Sequence, residues 1–262
     1  MAASGQSRSG GNPALVSISI VSHGHGRLLA SLLDDLRRLR PAGLEVILTL
    51  NIEETLPFDL HAFPFPIELV RNESPKGFAA NHNAAFSLAG GMYFCVLNPD
   101  IRLEADPFPA LLDELKNGSV AAAAPLILGP DGSVEDSARP FPTPASLLCK
   151  ALGFAPKRYY EIGTESISPD WVGGMFVLMR TDVFAEVGGF DAGYHLYYED
   201  VDLCARLRLR GYDIRLVPGA TAVHLARRES RRNPRYLLWH LRSMLRYFLS
   251  GTWRRARKLA AH

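Results

Sequence analysis

The stretch YFCVLNPDIRLE, residues 93–104, begins as a run of apolar residues and changes abruptly at Asn98-Pro99-Asp100. Aromatic and β-branched side chains favour strands, so the run predicts a buried β-strand. Asn-Pro-Asp is also good turn chemistry, and a plain turn is one interpretation of it. The other interpretation is that Asp100 lies at the ligand-binding edge of a sheet, where its carboxylate has a chemical role.

Upstream of this stretch, the hydrophobic pattern alternates between strand and helix. Strands are predicted at LVSISIV (15–21), LEVILTL (44–50), PIELVRN (66–72) and MYFCVLN (92–98), and helices within 27–39 and 75–89. The order β-α-β-β-α-β with continuous apolar strands predicts an α/β fold. Its central sheet should be largely parallel, with helices on both faces.

Polar segments follow each of these strands, at SHGHG (22–26), NIEE (51–54), RNESPKGFAANHN (71–83) and Asn98-Pro99-Asp100. In open α/β sheets, ligands bind beyond the carboxyl ends of the strands. These segments should therefore meet at one edge of the sheet and form a binding site there.

The second half of the chain has a different pattern of apolar, glycine and charged residues. The pattern predicts a glycine-containing strand at 170–180, a short helix capped by Thr181 or Asp182, a helix at 197–211 that begins with acids, and a strand at 213–225. Residues 129–169 are rich in Pro, Gly and Ser, which indicates long surface connections with one short helix.

Composition sets broad limits on what the protein is. With 262 residues, 47% hydrophobic and 21% charged, the chain suits one large α/β domain. No apolar run reaches the ~18 residues of a membrane span, and residues 1–14 form a Ser/Gly-rich lead-in without a signal-peptide core. The three cysteines match no metal or disulfide spacing, so we expect a cytoplasmic protein, soluble or peripheral.

The C-terminal segment is strongly basic. Residues 225–262 contain eleven Lys/Arg and one acid, a balance of +10, so the formal net charge of +2 leaves −8 on the rest. Residues 235–262 read as an amphipathic helix with Trp239 and Tyr247 at the margins of its apolar face. This pattern predicts an interfacial helix at the inner face of the cell membrane. The alternative is a helix packed on the domain with a solvated basic end; nucleic-acid binding is disfavoured. The apolar face comprises Leu237, Leu238, Leu241, Met244, Leu245, Phe248 and Leu249.

The ordered segments KGFAANHNAAF, LNPD, WVGGMFVLMR, YYEDVDLCARLRLRGY and VPGATAVHL, behind an N-terminal strand, together resemble the family 2 glycosyltransferases, in particular their rhamnosyltransferase-like branch. The resemblance covers roughly 15–230 and implies a GT-A domain there, between the lead-in at 1–14 and a basic helical tail at 231–262. It implies an inverting enzyme of cell-envelope polysaccharide synthesis. The donor would be dTDP-rhamnose or a UDP-sugar, and the acceptor a glycan or lipid-linked sugar.

The resemblance also implies a metal site. NPD looks like the family's metal motif, which makes Asp100 a ligand of Mg²⁺ or Mn²⁺, and His224 is a second ligand by the same resemblance. A divalent cation would neutralise the diphosphate, and Mg²⁺ commonly needs only one or two protein carboxylates. A lone histidine at a strand end is more often structural, and Asn98 either offers an oxygen or caps the turn.

Asp200 in YYEDVDL matches the family's general base, which takes a proton from the acceptor hydroxyl. Glu199 and Asp202 are the near alternatives. Acids at a helix N-terminus also complement the helix dipole without any catalytic role, which accounts well for Asp202.

The remaining site residues are also implied by the resemblance. Ordinary loop-to-helix capping would account for the asparagines, and a packed core strand for part of WVGGMF. The donor set is Ser22, Arg71, Gly77, Phe78, Asn81, Asn83, Asn98 and Asp100, and the acceptor set is Trp171, Gly173, Gly174 and Glu199.

The sequence departs from the family at Leu50, where an Asp usually contacts the base or ribose of the nucleotide. Asn51 or Glu53 would have to substitute. This departure motivates one alternative, a catalytically silent sugar-nucleotide-binding or scaffold protein. A nucleotidyltransferase is the other, but SHGHGR is poor in the glycine and lysine that such an enzyme would show.

Overall fold

The computed structural model describes residues 15–154, 156, 158–225 and 234–259, so the predicted lead-in at 1–14 lies outside it. Eight strands form the main sheet in the order β3-β2-β1-β4-β9-β6-β10-β5, and β7 and β8 form a separate pair. The strands are β1 (Val16–Ser22), β2 (Leu44–Leu50), β3 (Ile67–Arg71), β4 (Tyr93–Leu97), β5 (Ile101–Arg102), β6 (Val120–Leu128), β7 (Ala138–Arg139), β8 (Trp171–Val172), β9 (Phe176–Arg180) and β10 (Asp213–His224).

Helices cover both faces of the sheet, as predicted, and a 3₁₀ turn lies at Leu60–Ala62. The helices are α1 (Gly26–Leu39), α2 (Phe78–Phe86), α3 (Phe108–Leu115), α4 (Pro144–Ala151), α5 (Thr181–Glu186), α6 (Glu199–Leu209), α7 (Pro234–Leu249) and α8 (Gly251–Leu259).

The sheet is largely parallel, with two reversed strands. Strands β3, β2, β1 and β4 run parallel to one another, β6 and β10 are parallel neighbours, and β9 and β5 run antiparallel to the strands beside them. Ser22 pairs in register with Leu50, and Leu50 with Arg71. The carboxyl ends of the first three strands are therefore level at one edge, where the sequence places the binding site.

Two apolar clusters hold the helices against the sheet. On one face, α1 buries Leu29, Leu32, Leu33 and Leu36, the 3–4-residue spacing of one helix stripe. Each fully buried leucine contributes roughly 1.5–3 kcal/mol. On the other face, α2, α5 and α6 pack around aromatic residues such as Phe94.

The strand predicted at 170–180 is wrong as a single element. It divides into β8, which pairs with β7, and β9, which lies in the main sheet. The break falls at Gly173, whose N–H donates to the carbonyl of Ser137 at 2.8 Å. The predicted helix cap is also wrong, since Arg180 occupies the N-cap position of α5 instead of Thr181 or Asp182.

The C-terminal segment forms two helices, because the helix breaks at Ser250. The Ser250 hydroxyl accepts the N–H of Trp253 at the start of α8. Tyr247 on α7 and Ala256 on α8 are both fully buried against the domain. Tyr247, predicted at the margin of the apolar face, is instead the centre of the packed side. None of the described helices is long and apolar enough to cross a membrane.

Candidate active site

The Asn98-Pro99-Asp100 turn lies at the sheet edge and is tied down on two sides. The Asn98 N–H donates to the carbonyl of Met175 at 2.8 Å, and the Leu225 N–H donates to the carbonyl of Asp100 at 2.9 Å. The turn thus contacts both the break before β9 and the end of β10. These contacts fix the direction in which β4 delivers its carboxylate.

Asp100, His224 and Glu135 form a line of polar side chains. Nε2 of His224 lies 3.5 Å from Oδ2 of Asp100, and its Nδ1 lies 3.0 Å from Oε2 of Glu135. Burial would raise the pKa of Asp100, but the hydrogen bond and charge of His224 outweigh it, and the pKa is lowered. Burial would lower the pKa of His224, yet the two acids raise it.

These residues fit a divalent cation. Oδ1 of Asp100 is buried and has no hydrogen-bond partner in the described structure, which leaves an acceptor oxygen unused. Metal-ligating histidines usually donate their other ring N–H to a carboxylate, the position that Glu135 has here. No cluster of three or more His, Cys, Asp or Glu side chains suitable for a metal occurs in the described ranges. A cation at this place would need oxygens from its substrate as well.

Asp200 lies in the first turn of α6, after two strained residues. Tyr197 and Tyr198 have φ angles of 70° and 67°, a region that bulky residues rarely adopt. Oδ2 of Asp200 accepts the N–H of Gly174 at 3.1 Å, and Oδ1 accepts that of Val201 at 2.8 Å. The strained bend and the two hydrogen bonds hold the carboxylate in one orientation.

Glu199 and Asp200 are adjacent acids with raised pKa values. Burial is the main cause for both carboxyls, and the charge of Asp200 raises the pKa of Glu199 further. Hydrogen bonds from Gly174 and Val201 limit the rise at Asp200. Glu199 is 4% exposed, and its Oε2 has no partner among the described residues. Perturbed acids in a cleft are typical of catalytic sites.

Both acids line a cavity of about 280 Å³. Trp171 forms part of its wall and donates its ring N–H to the carbonyl of Pro140. The guanidinium of Arg139 lies 5.5 Å from the Trp171 ring. Further wall residues come from α4 and α7, among them Leu147, Lys150 and His240. The two glycines give close packing here, since Gly174 lies against Phe78 and Asp200 and the space at Gly173 is taken by Met175.

A network of asparagines shapes the loop before α2. Oδ1 of Asn51 accepts the N–H of Lys76 at 2.8 Å and the side-chain amide of Asn72 at 2.8 Å. The same Asn72 amide donates to Asn81 at 2.7 Å. Asn51 and Asn81 are therefore engaged in holding the loop, which presents Gly77 and Phe78 at the start of α2.

Asn83 contacts a different part of the chain. Its side-chain oxygen accepts the N–H of Phe190 at 2.9 Å, and its amide donates to the carbonyl of Phe190 at 2.7 Å. Both polar groups of Asn83 are thus satisfied by the backbone of a residue 107 positions away. This arrangement gives Asn83 a role in packing and leaves it out of the donor set proposed below.

A groove of about 690 Å³ lies beside Arg71, at the end of β3, and Glu53, in the segment after β2. Leu50 is 1% exposed and belongs to the core, so its side chain cannot reach a ligand in the groove. Ser22 is fully buried, and its hydroxyl accepts the N–H of His25 at the first turn. Of the two substitutes for the missing acid, Glu53 is the exposed one and Asn51 is engaged in the network.

Several cavity residues are not among those that the sequence singled out. Arg139 comes from β7, Tyr159 from a loop and His240 from α7, and only the fold brings them to Asp200. In the sequence, only their residue type points to a binding role, because aromatic and basic residues are frequent in sugar and phosphate sites. Arg227, Arg228 and Ser230, which the sequence places after His224, lie outside the described residues.

Comparison with known proteins decides the family. Residues 17–187, more than half of the chain, match the model described as Glycosyl transferase family 2. The chain belongs to glycosyl transferase family 2. Residues 158–228 also match the model described as N-terminal domain of galactosyltransferase. The resemblance to the family 2 glycosyltransferases, which the sequence motifs indicated, is therefore confirmed.

Two curated relatives of this family 2 chain are rhamnosyltransferases. Rhamnosyltransferase WbbL of Escherichia coli (strain K12) is 30% identical over 247 residues, covering 89% of this chain and 92% of that protein. N-acetylglucosaminyl-diphospho-decaprenol L-rhamnosyltransferase of Mycobacterium tuberculosis is 35% identical over 173 residues. That match covers 61% of this chain and 56% of the relative.

Solved structures confirm the GT-A-like fold. GalNAc-T7 with UDP, GalNAc and Mn²⁺ aligns with a TM-score of 0.66 at 18% identity, over 90% of this chain and 47% of that one. The mannosyltransferase PcManGT from Pyrobaculum calidifontis, in complex with GDP-Man and Mn²⁺, aligns with a TM-score of 0.58 at 16% identity. That alignment covers 95% of this chain and 76% of the mannosyltransferase.

Proposed function

We propose that the protein is a metal-dependent, inverting glycosyltransferase of cell-envelope polysaccharide synthesis. It transfers L-rhamnose from a nucleotide-diphosphate donor to a glycan or lipid-linked acceptor. The names of the two curated relatives support the sugar. The observation that carries the proposal is the position of the Asp200 carboxylate, which lies on the wall of a cavity and accepts the N–H of Gly174. The residue after Gly174, Met175, accepts the N–H of Asn98 and so holds the turn that contains Asp100.

Asp200 is the general base of the reaction. Its carboxylate takes the proton of the acceptor hydroxyl while that oxygen attacks the anomeric carbon of the donor. The bond between the anomeric carbon and the diphosphate oxygen breaks, and the diphosphate leaves with the electron pair. Attack opposite the leaving group inverts the anomeric centre. The raised pKa of Asp200 makes it a stronger base than an ordinary aspartate.

The donor lies along the carboxyl edge of β1 to β4. Its nucleoside occupies the groove beside Arg71 and Glu53, and the positive end of the α2 dipole, after Gly77, stabilises the phosphates. Asp100 and His224 hold the divalent cation, Mg²⁺ or Mn²⁺. When bound, the cation stabilises the negative charge that develops on the leaving diphosphate.

The acceptor sugar lies in the cavity of about 280 Å³, with its hydroxyl at Asp200. This volume is near the lower end of the ~300–1,000 Å³ typical of small-molecule sites, which suits one sugar unit. Trp171 gives the cavity an aromatic wall. Glu199, protonated by burial, donates a hydrogen bond to a second hydroxyl. We place the protein in the cytoplasm, at the inner face of the membrane, where a lipid-linked acceptor is presented.

A silent sugar-nucleotide-binding protein is the second candidate, favoured by the buried Leu50 at the position of the usual acid. Incubation with dTDP-rhamnose, metal and a lipid-linked N-acetylglucosamine acceptor separates the two. The enzyme releases dTDP, and the Asp200→Asn variant does not while it still binds nucleotide. Nucleotide binding without dTDP release in the parent protein would favour the silent candidate.

A further inference from the structure

The outward side of α7 is a stripe of exposed leucines. Leu237, Leu241, Leu245 and Leu249 recur every four residues and, with Leu238, are between 45% and 64% exposed. The opposite side of the helix is buried at Ser243 and Tyr247. Five exposed leucines on one helix face form a contiguous apolar patch of the kind that marks an interaction surface.

A second apolar surface lies at the end of α4. Leu148 and Leu152, one helical turn apart, are 61% and 62% exposed, and Phe154 just beyond them is 78% exposed. Leu147 and Lys150 of the same helix line the cavity that contains Asp200, as His240 of α7 does. Two of the helices that wall the acceptor cavity, α4 and α7, therefore also carry large exposed apolar side chains within or just beyond their residue ranges.

The charged side chains of the C-terminal helices α7 and α8 are all basic. Residues 234–259 contain seven Lys/Arg and no acid. Arg246 is paired with Asp191 of the domain at 2.8 Å, whereas Arg242, Arg254 and Arg255 are exposed. Apolar side chains beside exposed basic groups match the interface of an anionic bilayer, which accepts both.

We propose that α4 and α7 together form a docking surface for an anionic lipid bilayer. The surface defined by Leu148, Leu152, Phe154 and the α7 leucines enters the interface, and the basic residues of α7 and α8 contact the headgroups. Docking in this way places the mouth of the acceptor cavity at the lipid surface. A symmetric dimer through α7 would instead bring these basic helices against each other, which like-charge repulsion opposes. The value of docking for catalysis rests on the proposed function, but the docking itself does not.

Flotation of the full chain with vesicles tests the proposal. Vesicles with one third phosphatidylglycerol should carry the parent protein, and pure phosphatidylcholine vesicles should carry much less. Serine at Leu148, Leu152 and Phe154 should abolish most of the flotation, and so should serine at Leu237, Leu241 and Leu245. Met92→Ser is the matched control, because Met92 is 66% exposed at the amino end of β4, away from the site.

Substitutions of the basic residues test the electrostatic part of the proposed docking. Arg242→Gln and Arg255→Gln should each weaken partitioning into anionic vesicles about fivefold, the equivalent of roughly 1 kcal/mol per basic residue. Lys116→Gln, at a side chain that is 73% exposed, should leave it unchanged. Flotation of the α4 variant equal to that of the parent, or equal flotation with neutral vesicles, would overturn the proposal. The proposal would also be overturned if the parent protein eluted as a dimer in gel filtration and the α7 variant eluted as a monomer.

Two controls keep the failure of docking distinct from the failure of the proposed function. Each serine variant must keep the parent melting temperature, which shows that the fold is intact. Transfer to a short, water-soluble acceptor should be unchanged in the docking variants, because that acceptor needs no bilayer. Loss of flotation with retained soluble transfer supports docking, whereas unchanged flotation contradicts it whatever the activity.

Discussion

The backbone N–H of Gly174 donates a hydrogen bond to Oδ2 of Asp200 at 3.1 Å, joining the break between β8 and β9 to the first turn of α6. The next residue, Met175, accepts the N–H of Asn98 and so joins the same break to the Asp100 turn. Gly174 and Met175 thus connect the two carboxylates on which the proposed chemistry depends. A shift of this short segment would move both of them.

Removal of the Asp100 carboxylate tests the metal site. We expect Asp100→Ala to lose the metal-dependent part of dTDP or UDP binding, because its unpaired oxygen would otherwise contact the cation. Glu135→Gln should lower metal affinity about 10–100-fold, since Glu135 orients His224. Calorimetric titration of each nucleotide with and without Mg²⁺ or Mn²⁺ measures both. Asp182→Ala, at the opposite edge, is the control, and nucleotide binding that ignores both metal and Asp100 would contradict the assignment.

Glu199 should make the protein less stable at higher pH. Its pKa is raised in the folded state, so the unfolded chain loses its proton at lower pH than the native protein does. The free energy of unfolding therefore falls as pH rises above the ordinary value of 4.5. Glu199→Gln removes this dependence, and urea unfolding between pH 5 and 8 should give a flatter curve for the variant. Parallel curves would show that Glu199 is ionised in the native protein.

Gly77 permits a close approach between two segments. A Cβ at this position would lie 2.6 Å from the carbonyl oxygen of His195, so Gly77→Ala must push the loop before α2 away from that backbone. We expect a lower melting temperature and about tenfold weaker nucleotide binding, at 1.4 kcal/mol per tenfold. Gly163→Ala is the matched control, because a Cβ there meets nothing within 4 Å. Equal effects of the two substitutions would refute the special role of Gly77.

Asn83→Ala separates packing from nucleotide binding. The substitution leaves both backbone groups of Phe190 without their partners, which should cost about 1–3 kcal/mol of stability. Nucleotide affinity should stay within twofold of the parent, measured by calorimetry below the melting temperature. A large loss of affinity at unchanged stability would restore Asn83 to the donor site.

The sequence predicts the first half of the fold well because its signals are local. Apolar runs bounded by polar turns mark β1 to β4, and leucines at helical spacing mark α1. The Asp100 and Asp200 positions are visible for the same reason, since each follows a recognisable element boundary. The metal and catalytic roles of these residues stay predictions.

Other features depend on contacts between distant segments and leave little trace in the sequence. The alanine-rich strand β6, to which the pattern assigned no element, is a strand because β9 and β10 pair with it. The burial of Tyr247 depends on α6 and Tyr198, and Arg139 reaches the Asp200 cavity only through the β7–β8 pair. Periodicity within one segment carries no information about such neighbours.

The most direct test of the central claim is donor turnover by the parent protein and by Asp200→Asn, with nucleotide affinity measured on both. We predict that turnover falls about 10²–10⁴-fold in the variant, the usual contribution of a general base. Nucleotide affinity should stay within twofold, because Asp200 faces the acceptor cavity. Equal turnover by the variant and the parent would contradict the assignment of Asp200 and, with it, the mechanism proposed here.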